Sequence, residues 1–269
     1  MLNPLLFFAL LSFSSLPDAR VQVLDDLGLP VTLARAAQRI ITLSPHTAEL
    51  AVAAGAGSKL VGTAAFHDYP AQLDKLPVVS HFSGLDRERL LMLNPDLVVA
   101  WASGNKPGDI AWLKSLHIPV YLSEPSTLDD IPASIEKLGR LAGRQELSTR
   151  AAEKFRAELE GVCSARAHQQ PQPAYYEIWP SPPMTIGGKH WLNPVLRKAG
   201  LHNVFADQNR QIISVTPEAL LGRSIEIKIS GFQQPGVSSS RQKLVRGNEQ
   251  LARPGPGIIQ GLRLLCDQL

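Results

Sequence analysis

The chain carries no G-x-S-x-G elbow, no H-E-x-x-H pair and no P-loop lysine motif. Gly55-Ala56-Gly57 lacks the third glycine and the strand-turn setting of a dinucleotide site. Loop histidines and Asp68 in an α/β chain are compatible with a hydrolase, but no motif supports one, and the reading is not an enzyme. Net charge is only +3, with no long basic run. Nucleic-acid binding is therefore disfavoured. Past the N-terminus no segment reaches the roughly 18 apolar residues of a membrane span. Cysteine is scarce, with Cys163 and Cys266 far apart in sequence. The pair is compatible with export but decides nothing about it, and no bridge follows without geometry. Two buried free thiols are the expectation.

What is present describes a globule. At 44% hydrophobic and 19% charged residues the chain has enough apolar material for a real core. A length of 269 residues allows one large domain or two ordinary ones. The 21 prolines, many beside strand-like runs, point to many short loops. Residues 1–19 stand apart. Leu5 to Leu11 is wholly apolar, Ser12, Ser14 and Ser15 follow, and Ala19 lies a few residues on. This resembles the apolar and cleavage regions of an export signal, although Met1-Leu2-Asn3 brings no Lys or Arg.

The stretch from Arg39 to Gly55 sets the pattern. Ile40 to Leu43 suits a buried strand, Ser44 an N-cap and Pro45 a first helical residue. Leu50, Ala51 and Ala54 recur at helical spacing, and Gly55 ends the run. The loop between strand and helix lies at a strand carboxyl end, where open α/β sheets bind ligands. A small hairpin over Val21 to Thr32 precedes it. Strands at Leu60–Thr63, Pro77–Val79, Leu97–Trp101 and Val120–Leu122 then alternate with helices, including one that Asp86 caps and one over Leu128–Leu141. This alternation calls for a mostly parallel sheet over residues 20–142.

From Arg144 to Ala167, Leu147, Ala151, Phe155, Leu159 and Val162 form one apolar stripe with a charged opposite face. Such a helix, roughly 36 Å long, is either a rigid connector (143–168) or an outer helix of one domain. A second α/β pattern fills 169–269: a strand at Tyr175–Trp179, a loop at Pro182–Gly188, helices over Trp191–Ala199 and from Thr216, and a final helix over Gly257–Leu269. Ile225 to Ile229 alternates strictly, so it reads as a strand with one wet face. Glu88 and Glu218 each sit second in a helix, after a capping residue and before paired leucines. That is either dipole chemistry or a matched pair of docking acids, one per half. His46, His67 and His81 lie on first-half loops and would suit Zn²⁺ only if they converged.

These pieces together resemble a family, the periplasmic cobalamin-binding proteins of ABC importers, within the helical-backbone metal-receptor class of substrate-binding proteins. The resemblance rests on DDLGLPVTLARAAQRIITLSPHTAEL, FHDYP, Val79 to Arg89, LNPDLVVAW, PPMTIGGKHWLNPVLRKAGLHNVF, ISGFQQPG and RPGPGIIQGL, in that order over residues 22–269. It implies two Rossmann-like lobes joined by one long helix. A corrinoid would be held non-covalently between them as cargo, with no cofactor, by a monomer in the periplasm.

The resemblance assigns Phe66, Phe82 and Trp101 to the first wall of the ligand gap. Ile178 and Ile212 fall where larger aromatics occur in the second, with Trp179 nearby. Flat aromatic faces suit a large, partly apolar ring edged with amides. Glu249 and Arg253 match an acid and an arginine at the ligand's edge. Glu88 and Glu218 match the acids that meet arginines on the inner-membrane permease. Cys266 sits at a paired-cysteine position whose partner position holds Ala199, so the family's bridge is expected to be absent. Between Gly236 and Leu251 the chain is shorter than the pattern by a helix and most of a strand, which predicts a shortened second lobe with an exposed sheet edge. Haem, an iron siderophore or a metal ion is the alternative cargo.

Overall fold

The computed structural model describes residues 20–65, 71–81, 83–166, 168–232 and 242–269. The signal-like segment 1–19 lies outside them. The hairpin forms as read, β1 (Val21–Leu24) against β2 (Pro30–Leu33), with Gly28 at φ 78° in its turn. The first unit also forms: β3 (Ile40–Thr42), then α1 (Pro45–Ala53) after Ser44, whose N–H donates to Thr47 Oγ1. Gly55 closes it at φ 78°, a backbone that L side chains rarely adopt.

The N-terminal lobe continues with β4 (Leu60–Ala64), β5 (Val78–His81), β6 (Gly84–Leu85), α2 (Arg87–Met92), β7 (Leu97–Trp101), α3 (Pro107–Ser115), β8 (Val120–Ser123) and α4 (Asp130–Leu141). Its sheet runs β6-β5-β4-β3-β7-β8, parallel except for the short antiparallel edge strand β6. Because β3 and β7 are central and covered on both faces, they read as unbroken apolar runs.

The helix expected over Arg144–Ala167 is shorter. α5 spans Gln145–Gly161 and stops where Cys163 adopts φ 58°. The expected stripe holds at Phe155 and Val162, which are buried, and at Ala151 and Leu159, which pack against the core, but Ser148 and Ala152 are enclosed as well and Leu147 is exposed. The cause is close packing on α4. A Cβ at Gly139 would lie 2.0 Å from Ser148 Oγ, so the two helices meet through their smallest residues.

The C-terminal lobe comprises β9 (Gln172–Pro180), β10 (Pro183–Ile186), α6 (Leu192–Lys198), β11 (Leu201–Asn203), β12 (Ile212–Ser214), α7 (Pro217–Leu221), β13 (Ile227–Ser230), β14 (Lys243–Arg246) and α8 (Ile258–Cys266). Its sheet runs β12-β10-β9-β13-β14, with β11 also beside β9. It is mixed: the stretch expected as a loop at Pro182–Gly188 contains β10, antiparallel to both β9 and β12.

Three further expectations change. The strand expected with one wet face forms only from Ile227, and every residue of β13 is buried, while Glu226 just before it is exposed. Lys228 is tolerated there because its Nζ lies 2.9 Å from Glu177 Oε1. The shortened region still supplies a strand. Lys243–Arg246 pairs in parallel with β13, and β14 forms the sheet edge with Leu244 half exposed. Among the described residues no helix lies between β13 and β14. Finally, the cysteines are not free. Cys163 and Cys266 form a disulfide, their Cα atoms 5.8 Å apart. Positive φ at Cys163 turns its side chain off the end of α5 toward α8, where Cys266 sits, while Ala199 stays in the core.

One apolar core runs from the hairpin and α1 through α4 and α5 to α6 and α8. The two lobes are therefore welded through shared packing. Among the described residues no helix is long and apolar enough to cross a membrane.

Candidate functional site

Strand carboxyl ends of the N-terminal lobe converge on one edge. Trp101 ends β7, Leu43 and Ser44 follow β3, and Ser123 ends β8. The loop after Trp101 is pinned at several points. Asn105 Oδ1 accepts from the Trp101 N–H at 2.7 Å, and Asn105 Nδ2 donates to Leu43 O at 2.9 Å. The N–H and hydroxyl of Ser103 both donate to Glu124, each at 2.8 Å. The Glu124 N–H in turn donates to Asp26 Oδ2 at 3.0 Å. Asp26 is buried in a cluster with the Tyr121 hydroxyl, the Ser134 hydroxyl and Lys137, so the hairpin braces the cleft loop. Gly104 lies flat on the indole: a Cβ there would be 1.9 Å from Trp101 Cε3.

His46, second in α1, meets Trp101 edge-on with ring centroids 5.3 Å apart. Its Nδ1 faces the Ser44 hydroxyl at 3.1 Å and its Nε2 the Ser123 hydroxyl at 3.3 Å. Burial, helped by Arg253, pushes its pKa down to about 3, so the ring is neutral at physiological pH. It is a supporting core residue here. His81 is exposed at the end of β5, while His67 and Asp68 lie outside the described residues. Among the described residues no group of three potential metal ligands converges.

Opposite Trp101 stands the C-terminal lobe. Between the two is a cavity of about 840 Å³, bounded on one side by Trp101, Ser103, Glu124 and Pro125. On the other side are Tyr176, Glu177 and Ile178 of β9, the turn His190-Trp191-Leu192, Gln211 and Ile212, Gly231 and Phe232 after β13, and residues 246–249, Ala252 and Pro254. The lining is mainly apolar, with polar side chains among it. Its rigidity comes from buried polar bonds. Glu177 accepts from the Ser230 hydroxyl at 2.6 Å, and the Phe232 N–H donates to the same hydroxyl oxygen at 3.2 Å. Burial raises the Tyr176 pKa to about 12, so that phenol stays protonated.

Of the residues singled out in the sequence, Trp101, Ile178, Ile212 and Glu249 line this cavity. Trp179 does not. It points outward, its Nε1–H donates to Ser181 O at 2.9 Å, and its ring backs Phe232 with centroids 5.4 Å apart. Arg253 sits behind the wall. Its guanidinium lies 2.7 Å from Glu249 Oε2 and 3.5 Å from Oε1 of Glu49, a buried residue of α1 in the other lobe. Phe66 and Phe82 fall outside the described residues.

Sequence reasoning missed Phe232, Trp191, His190 and Arg246. Phe232 had a usable signal, an aromatic directly after a buried strand at its carboxyl end. The turn bearing His190 and Trp191 had one too, in Gly187-Gly188, where a Cβ would meet the carbonyls of Arg210 and Ala206 at 2.3 and 2.2 Å.

Glu88 and Glu218 are exposed in the first turns of α2 and α7. The two helix starts are alike. Asp86 accepts from the Arg89 N–H at 3.0 Å, and the Thr216 hydroxyl accepts from the Ala219 N–H at 3.2 Å. The backbone N–H of Glu218 itself, then the Thr216 hydroxyl, hold the Glu218 carboxyl below its usual pKa.

Comparison with known proteins fits this geometry. A family profile described as "Periplasmic binding protein" matches residues 40–249. A vitamin B12-binding protein of Yersinia pseudotuberculosis is 33% identical over 263 residues, covering 94% of this chain and 93% of its own length. One from Vibrio campbellii is 35% identical over 191 residues, 71% of this chain and 70% of that protein. Among solved structures, a periplasmic vitamin B12 binding protein of Vibrio cholerae superposes with a TM-score of 0.79 at 30% identity, covering 86% of this chain and 96% of that one. A periplasmic haem-binding protein from Roseiflexus matches at a TM-score of 0.73 and 20% identity, with 87% and 99% covered, which is a likeness of fold. With a profile match across most of its length and a third of its residues shared end to end with such relatives, the chain belongs to the periplasmic binding protein family.

Proposed function

We propose that the protein is a periplasmic receptor that captures cobalamin or a related corrinoid between its lobes and delivers it to an inner-membrane ABC importer. The observation that carries this reading is the inter-lobe cavity, with the Trp101 indole on one side and Ile178, Trp191 and Phe232 on the other. A broad, mainly apolar gap with polar side chains in its lining fits a large ring edged with amides better than a bare ion. Trp101, Ile178 and Ile212 would supply contact area, with Trp179 buttressing Phe232. Glu249, oriented by Arg253, would address the ligand's edge. The curated relatives named for vitamin B12 support the same ligand. Residues 20–142 and 169–269 serve as the two lobes and 143–168 as their connector. The shared core implies modest lobe movement on binding.

Delivery would use Glu88 and Glu218, one exposed acid per lobe, facing a two-fold permease. Charge there steers encounter and register more than it tightens the complex. Reversing both charges should impair uptake in cells and leave ligand affinity unchanged; lost ligand affinity would remove them from the docking role.

The test of the ligand is spectroscopic. Aquocobalamin added to purified protein should quench tryptophan fluorescence and titrate as one site at micromolar concentration or below. No response to aquocobalamin, with haemin binding instead, would overturn the reading.

A further inference from the structure

His190 is a cavity residue whose ring is held in one orientation by its own turn. The turn leaves β10 through Gly187 and Gly188, and the His190 N–H donates back to Gly187 O at 3.2 Å. Asn193, buried, clamps it from below: Nδ2 donates to the carbonyls of Gly187 at 2.8 Å, Gly188 at 3.2 Å and His190 at 2.8 Å. Asn193 Oδ1 accepts from Asn203 Nδ2 at 2.9 Å, which ties the turn to β11. The imidazole itself is engaged at one nitrogen. The Leu192 backbone N–H donates to Nδ1 at 3.2 Å.

That bond has a chemical consequence. A nitrogen that accepts from a backbone N–H presents its lone pair there, so in the neutral ring the proton resides on Nε2. Burial keeps the ring neutral, with its pKa pushed down to about 4. The Nε2 edge makes no protein hydrogen bond among the described residues, and the residue borders the ligand cavity. A fixed N–H donor is poorly suited to ligate a metal, because axial ligation needs the lone pair on that nitrogen. It is well suited to an acceptor oxygen.

We propose that His190 is a specificity-determining ligand contact that presents its Nε2–H to a carboxamide oxygen on the rim of the bound macrocycle, and not a lone pair to its metal. The proposal deepens the corrinoid reading and rests on it. A corrin rim carries carboxamides, whereas a haem edge carries carboxylates and its iron seeks axial nitrogen. The His190 turn therefore favours the amide-edged ring by geometry.

Two measurements test it. In the ligand-free protein, nitrogen NMR of labelled histidine, assigned by the signal lost in His190→Gln, should show a protonated Nε2 and a bare Nδ1 at pH 7; the opposite tautomer would overturn the proposal. Binding is then compared for cyanocobalamin and dicyanocobinamide, the second lacking the nucleotide phosphate and carrying cyanide on both metal faces. His190→Ala should weaken both by about five- to tenfold, the range expected for one hydrogen bond, and His190→Gln, which keeps a donor, should recover most of the loss. Unchanged affinity in His190→Ala would overturn the proposal while leaving the corrinoid reading intact. So would a loss confined to cyanocobalamin, which would point to the phosphate, or a His190-dependent change in the visible spectrum of dicyanocobinamide, which would show axial ligation. Failure of the wild-type protein to bind either corrinoid would remove the functional reading and the proposal together.

Discussion

Replacing Arg253 by Met tests the ionic link between the lobes and also releases the exposed Glu249. Glu49 of α1 is 3% exposed, and the Arg253 side chain that faces it from the other lobe is 16% exposed. The Gly257 N–H also donates to Glu49, at 3.3 Å. A Cβ at Gly255 would press to 2.7 Å of the same carboxylate, so the cradle is narrow. Removing the guanidinium takes the opposing charge away from a buried carboxylate, for which a cost of about 3–5 kcal/mol is expected. That is a large share of a stability of about 5–15 kcal/mol. Urea unfolding should show a lower midpoint with an unchanged slope. Arg253→Met combined with Glu49→Gln should cost clearly less than the two single changes together, because the charge and its partner leave at once. The His46 pKa should also rise in Arg253→Met, since Arg253 is one of the two influences that lower it. A single-variant cost under about 1 kcal/mol, or strict additivity, would refute a buried inter-lobe pair.

Other predictions follow from local geometry. Gly104→Ala places a methyl 1.9 Å from the Trp101 ring, so the indole must move; stability should fall by about 1–3 kcal/mol, and corrinoid affinity should fall with it by calorimetry. Cys163→Ser removes a bridge between positions 103 residues apart and should lower stability by about 3–5 kcal/mol, an effect that dithiothreitol reproduces in the wild type and leaves nil in the variant. His46 has a folded pKa of about 3, below the ordinary histidine value of 6.5. Its stabilising contribution is therefore complete above pH 6.5 and is lost as pH falls toward 3. The slope of unfolding free energy between pH 6.5 and 4 should flatten in His46→Gln; an unchanged slope would mean that His46 is not buried neutral.

The first lobe was legible because its signals are local. Ser44-Pro45 followed by apolar residues at helical spacing announces a helix start, and Leu97–Trp101 is the clearest buried strand in the chain. The family resemblance places Trp101 at the cleft, and its position at the carboxyl end of that strand agrees. The second lobe was less legible because its order depends on distant partners. Lys228 looked like a solvent-facing residue, and its pairing with Glu177 on the neighbouring strand makes its burial tolerable. The β10 segment contains Pro183 and is followed by two glycines, so its composition resembles a loop, yet it pairs on both sides. The disulfide depended on how the end of α5 meets α8, a matter of three-dimensional approach that spacing does not encode. Arg253 was expected at the ligand's edge, but its link to Glu49, 204 positions earlier, joins residues of different lobes.

The most direct test of the central claim is anomalous diffraction at the cobalt edge from crystals grown with cyanocobalamin. One peak is predicted, in the gap between Trp101 on the first lobe and Ile178 and Phe232 on the second. A peak elsewhere on the molecule, or none in crystals whose cleft is open to solvent, would contradict the account.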